Sequence, residues 1–250
     1  MVYSLERLND ADLRMLASVA GEPMGSDFKA RLRSQPGELE RRLLDPGLWQ
    51  RIFGRGSGEA FLHASPFLVF AVMVQRTAYD LRTASYIEEW SGPRQRVPLF
   101  DVGSVRTFAM DSGRRLFLAE LLSSYTHVSS TTMLVRTARG LRRRRFSELD
   151  PARLAELAEL APEPDRPAIV RRLGDLSLFL SGVFPDHAGR QLEALEEIGR
   201  RAYATSAQAA RGGTASLLKE LSEQFSPGRR FLNRLTDRYL FPLRESWFPA

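Results

Sequence analysis

Six arginines, Arg136, Arg139, Arg142, Arg143, Arg144 and Arg145, fall between Leu134 and Ser147 with no acidic residue among them. Guanidinium groups at that density offer one chemistry above others: they hold oxyanions through paired N–H donors, and a row of phosphates engages several at once. The chain has 36 Lys and Arg against 30 Asp and Glu, so the whole excess of +6 lies in this one segment. Thr131 to Phe146 also leaves the helical pattern that surrounds it. TTMLVRT is β-branched and alternating, ARG supplies a turn with a glycine, and LRRRRF returns, which predicts a β-hairpin near 131–146. A turn at Ala138-Arg139-Gly140 would set Arg136 opposite Arg142, like charges that destabilise a ladder unless an anion or an acid lies between them. Arg142 and Arg144 would share one face and Arg143 and Arg145 the other. Two readings stand side by side: a hairpin that binds nucleic acid or another polyanion, and an edge hairpin whose arginines pair within the molecule and block edge association.

The second residue with chemistry to offer is Asp175, set in IVRRLGDLSLFLSGVF (Ile169 to Phe184). Apolar residues at Ile169, Leu173, Leu176, Leu180 and Phe184 keep helical spacing, and Val170, Leu178, Phe179 and Val183 extend the apolar surface nearly all round, as in a buried helix. A carboxylate on such a helix needs a partner. One reading is a structural ion pair with Arg76 or Arg82 from the other apolar helix; the alternative is a pocket carboxylate facing a cationic or hydroxyl-bearing ligand. The small residues Gly174, Ser177, Ser181 and Gly182 let neighbouring backbones come close, and both serines are placed to bond back to helix carbonyls.

Other chemistries lack their residues. His63, His127 and His187 belong to no metal-binding spacing, and Glu88-Glu89 and Glu196-Glu197 are adjacent pairs whose members diverge on a helix. GRGSG (Gly54 to Gly58) has no preceding strand and no following Lys-Ser or Lys-Thr, so it reads as a loop, and Ser181 lacks a nucleophile elbow. There are no cysteines, hence neither disulfides nor thiolate ligands. No cofactor and no metal are expected, and no catalytic signature is present.

These residues must be positioned by helices. Asn9 or Asp10, Asp45-Pro46, Ser65-Pro66, Asp111 and Asp150-Pro151 are helix starts, and Gly212-Gly213 stops a long amphipathic helix begun near Ala188. The expectation is an all-α chain with two buried central helices, Phe67 to Leu81 and Ile169 to Phe184, and one hairpin, forming a single compact domain over 1–250. After Trp90 and Ser91-Gly92-Pro93, RQRVPLFDV (Arg94 to Val102) is read as an extended stretch. Three segments, LGDLSLFLSGVFPDH (Leu173 to His187), ASYIEEWSGPRQRVPLFDV (Ala84 to Val102) and RTARGLRRRRFSELDP, resemble a set of uncharacterised, mostly helical bacterial proteins. The resemblance implies a shared helical fold and assigns no functional residue. The longest apolar run, Phe67 to Val74, falls short of the ~20 residues of a membrane helix, and the N-terminus shows no secretory pattern, so a cytoplasmic protein without membrane insertion is expected. The leading functional expectation is a non-enzymatic binding or regulatory protein contacting an anionic partner through the arginine hairpin. Two alternatives stay open: a small-molecule pocket or enzyme site near Asp175, and a protein-interaction module using an exposed helix or the aromatic tail at Trp247-Phe248.

Overall fold

The computed structural model describes residues 6–54, 58–92, 95–126, 130–137, 140–147 and 149–242, with backbone alone at 26, 36, 58–60, 130–137 and 140–147. The chain is mainly α-helical. In order it runs through α1 (Asp10–Val19), α2 (Ser26–Ser34), α3 (Pro36–Leu43), α4 (Pro46–Phe53), α5 (Gly58–His63), α6 (Pro66–Leu81), β1 (Ile87–Gly92), β2 (Gln95–Leu99), α7 (Gly103–Met110) and α8 (Ser112–Ser124). It continues with β3 (Ser130–Thr137), β4 (Gly140–Ser147), α9 (Pro151–Leu160), α10 (Arg166–Val183), α11 (Pro185–Ala188), α12 (Leu192–Ala209), α13 (Gly212–Glu223) and α14 (Phe225–Leu235), ending in a π-helical turn at Thr236–Leu240. Two compact units emerge: Met1–Ser85 with Ala109–Thr126 and Asp237–Ala250, and Tyr86–Phe108 with His127–Thr236.

In the first unit the helix starts are where the sequence places them. Asn9 caps α1 in a reciprocal box with Asp12, Asp45 caps α4 through Gly47 N–H, Ser65 caps α6 through Leu68 N–H, and Asp111 caps α8 through Arg114 N–H. Asp12 is fully buried because it serves two helix starts at once: one oxygen accepts from Asn9 N–H (3.0 Å) and the other from Ser65 N–H (2.8 Å). Helix α6 is buried along most of its length and packs on α8, with Leu68, Val72, Leu81 and Leu118 at 0 % exposure. Fully burying a side chain of this kind contributes roughly 1.5–3 kcal/mol.

The second unit is built around α10, against which α9, α12 and α14 pack. Leu173, Leu176, Leu178 and Val183 are buried on different sides of the helix, as its all-round apolar sequence implies. The small residues set the packing distances. A Cβ at Gly174 would stand 3.0 Å from the Tyr203 ring, and one at Gly182 would stand 2.7 Å from Leu232 Cβ. Ser177 donates to Leu173 O (2.8 Å) and Ser181 to Ser177 O (2.6 Å), so neither hydroxyl is left unbonded in the core. The extended stretch after Trp90 turns out to be half of a second antiparallel ladder, β1 with β2. Its first strand, IEEWSG, has few β-branched residues and so carries little strand signal.

Candidate functional site

The arginine hairpin forms, over Ser130–Thr137 and Gly140–Ser147, but one residue out of the expected register. Thr137 pairs with Gly140, so Arg136 lies opposite Leu141 and Arg142 opposite Val135; the Arg136–Arg142 confrontation does not occur. The expected turn placed Gly140 in the loop, whereas Gly140 is the first residue of β4, and moving one residue from loop to strand shifts every pair. Strand alternation then sorts the arginines into two rows. Arg136 shares its row with Arg143 and Arg145, whose cross-strand partners are Leu134 and Thr132; Arg142 and Arg144 share theirs with Val135, Met133 and Phe146. No two arginines are directly opposed. Arg139 and the loop it was assigned to lie outside the described residues, as do His127 and the aromatic tail.

Asp175 sits half-buried on α10 and accepts a hydrogen bond from the Tyr203 hydroxyl at 3.0 Å. Tyr203, on α12, is itself completely buried, its ring laid over the flat surface left by Gly174. A buried phenol needs a hydrogen-bond partner, and Asp175 provides it. Arg76 and Arg82, the arginines expected beside Asp175, have contacts within the first unit. Arg76 Nε lies 3.7 Å from Asp80, with the guanidinium 6.0 Å from the Trp49 ring, and Arg82 lies 5.6 Å from the Tyr79 ring.

A charged cluster that the sequence reading passed over lies in the second unit. Arg229 on α14, 5 % exposed, spends its guanidinium on three partners: Nη2 on Glu89 of β1 (2.6 Å), Nε on Glu196 of α12 (3.1 Å) and Nη1 on Asn233 (3.1 Å). Arg230 Nε adds a second bond to Glu89 at 2.5 Å, and the Ser226 hydroxyl donates to Glu196. The Asn233 amide donates in turn to Ser181 O (3.1 Å) and Gly182 O (2.6 Å), carbonyls in the last turn of α10 that have no partner further along the helix. The adjacent acidic pairs do separate, Glu89 and Glu196 turning inward while Glu88 and Glu197 stay exposed. Glu88-Glu89, however, lies on a strand, so alternation rather than helical rotation divides it. These bonds make the cluster a tie between β1, α12, α14 and the end of α10.

No family model, curated protein or solved structure matches this chain. Among the described residues no group of His, Asp and Glu is gathered to hold a metal ion, and no helix is long and apolar enough to cross a membrane. His63 ends α5 and His187 lies in α11, both exposed.

In the first unit, Asp80 collects the Tyr239 hydroxyl, Arg238 at 3.2 Å and Arg76. Burial first, then the hydrogen bond to the Asp80 carboxylate, pushes the Tyr239 phenol above the ordinary tyrosine range. A raised folded value means the associated stabilisation is complete below the unfolded pKa of about 10 and fades as pH rises through the folded one. The melting-temperature difference between wild type and Tyr239→Phe should therefore be constant up to about pH 9 and shrink above about pH 10. A difference that held its size at high pH would show that this phenol is not preferentially protonated in the folded state.

Proposed function

We propose that this chain is a non-enzymatic binding protein that grips a polyanion, nucleic acid before any other, through the β3–β4 ribbon. The reading is carried by one observation: the register gathers Arg136, Arg143 and Arg145 into one row of a two-stranded ribbon, within the segment that holds the entire excess positive charge of the chain. Side chains two apart on a strand repeat at about 6.6–6.8 Å. That matches the advance along the helix axis of two phosphates of one strand of duplex DNA, about 3.4 Å each. A two-stranded antiparallel ribbon is also one of the shapes the major groove admits. The row has no acidic member, so it offers charge to phosphates without offering a base-specific acceptor set. Affinity with little sequence preference is the consequence.

Three contacting arginines at roughly −0.9 each give a slope of log K against log salt near −3 on duplex DNA. Replacing Arg143 and Arg145 together should flatten the slope by about two and weaken binding to all sequences alike. The double replacement of Arg142 and Arg144, in the other row, should leave the slope close to wild type. Fluorescence anisotropy on labelled duplexes across a salt series measures both. Absence of affinity for DNA and RNA at low salt would end the proposal, and equal effects from both double replacements would dispose of the one-row geometry.

A further inference from the structure

We infer that a band of interleaved arginines and aromatic rings on the first unit is a binding surface for single-stranded nucleic acid, seating unpaired bases on its flat groups and phosphates on its guanidinium edges. The band starts where helix α6 leaves the core. From Phe67 to Gln75 the helix is almost wholly buried; beyond that, Thr77 and Leu81 stay buried while Arg76, Tyr79 and the C-cap residue Arg82 reach the surface. Residues three apart are neighbours on a helix face, so these three form one line. Trp49 of α4 and Arg238 and Tyr239 of the π-helical turn extend it. The Arg82 guanidinium lies 5.6 Å from the Tyr79 ring, and Arg76 lies 5.9 Å from that ring and 6.0 Å from Trp49. Trp49 lies 5.2 Å from the Tyr239 ring, and Arg238 lies 5.9 Å from Tyr239. Each arginine is thereby within cation–π reach of a ring.

Charge sets the sign of the partner. Asp80 is the one carboxylate that these three arginines meet among the described residues, 3.7 Å from Arg76 and 3.2 Å from Arg238, and it also accepts the Tyr239 hydroxyl. Its side chain is 15 % exposed against 39 % for Arg76 and 54 % for Arg238, so the carboxylate lies beneath the cations it holds. Arg82 is exposed and meets only the Tyr79 ring among the described residues. Three guanidiniums over one sunken carboxylate turn a positive face to solvent, which attracts an anion and repels a cation.

The rings decide which anion. Tyr79 is 49 % exposed and Trp49 half-buried, so aromatic surface stands open between the charges. A guanidinium laid on a ring keeps its N–H edge for phosphate oxygens, and its plane, like that of a ring, stacks with a base. Within a duplex the base faces are covered by their neighbours; an unpaired strand offers base faces and phosphates together. Alternating flat and charged groups on the protein therefore suit the alternation of base and phosphate on one strand. Stacking of this kind tolerates any base, so the surface carries little sequence preference. It belongs to a different unit from the arginine ribbon and to a different form of nucleic acid, and it stands or falls separately.

The test is fluorescence anisotropy of the full chain with a labelled oligothymidylate and with an abasic oligomer of the same length, which has the phosphates and lacks the bases. Wild type should bind the oligothymidylate at least about fivefold more tightly than the abasic strand. Tyr79→Ala should remove most of that ratio while leaving abasic affinity close to wild type. Arg82→Ala should weaken both strands and take about 0.7 from the slope of log K against log salt. The Arg143→Ala/Arg145→Ala double variant should keep the ratio, because the ribbon is not where the bases stack. The assignment is overturned if wild type binds the two strands alike, if Tyr79→Ala keeps the wild-type ratio, or if the ribbon double variant loses it. Should Tyr79→Ala fail to fold, Arg82→Ala decides: an unchanged salt slope rejects the surface and a fall of about 0.7 supports it. A wild type that shows the ratio yet has no affinity for duplex upholds this surface and ends the ribbon's duplex role alone.

Discussion

Arg229→Ala is expected to destabilise the protein by about 3 kcal/mol or more, read as a fall in the denaturant midpoint without a change in slope. Removing one partner of a buried ion pair typically costs 3–5 kcal/mol, roughly, because the partner left behind is charged and poorly solvated. Here Glu196 is left without a cation, while Glu89 keeps Arg230. Glu89 and Glu196 retain 16 % and 21 % side-chain exposure against 6 % for Arg229, so water reaches them in part and the lower portion of that range applies. Asn233 loses its guanidinium partner as well, and its hold on the α10 carbonyls loosens with it. The contrast is Arg201→Ala on α12. Arg201 pairs with Glu197 one turn away, 79 % and 52 % exposed, and such a pair is worth less than about 1 kcal/mol. If Arg229→Ala cost no more than Arg201→Ala, the cluster would be an accident of surface charge and not a tie between β1, α12, α14 and the end of α10.

Gly182→Ala is the second large effect. The new Cβ would stand 2.7 Å from Leu232 Cβ and 2.7 Å from Leu232 Cδ1. Swinging the side chain can relieve the second clash but not the first, because a Cβ is fixed by its backbone; α10 and α14 must move apart. Leu232 is fully buried, so the separation opens space nothing fills. Overpacking of this kind typically costs about 1–3 kcal/mol, against at most ~1 kcal/mol gained from alanine's helix propensity. A net loss of about 2 kcal/mol is expected. Gly213→Ala in α13 is the control: nothing lies within 4 Å of the added methyl, so it should be neutral or stabilising by up to about 1 kcal/mol. Urea titrations of both variants decide it, and equal stability of the two would mean that the α10–α14 contact is looser than its geometry implies.

These effects could not have been ranked from the chain alone. The tight approach at α10 was foreshadowed by Gly174, Ser177, Ser181 and Gly182, but Leu232 is fifty residues downstream of Gly182 and nothing in either segment names the other. Arg229 and Arg230 are neighbours on one helix, yet one is buried and one half-exposed. Both reach Glu89, 140 residues from Arg229 in sequence, but Arg229 also meets Glu196 of α12 and Asn233.

What the sequence by itself determined is the local order. Helix starts at Asn9, Asp45, Ser65, Asp111 and Asp150, the mainly α character, the burial of α6 and α10 and the hairpin near 131–146 all depend on residues within about four positions of one another, where capping and periodicity act. The tertiary structure decided pairing. It set β3 against β4 one residue from the expected register, found β2 as the partner for β1, and brought the Tyr203 hydroxyl to Asp175. It also divided the chain into two units that each draw on separated segments. Charges and hydrogen-bonding groups take whichever partner the packed elements bring within reach, and that depends on the three-dimensional path of the whole chain.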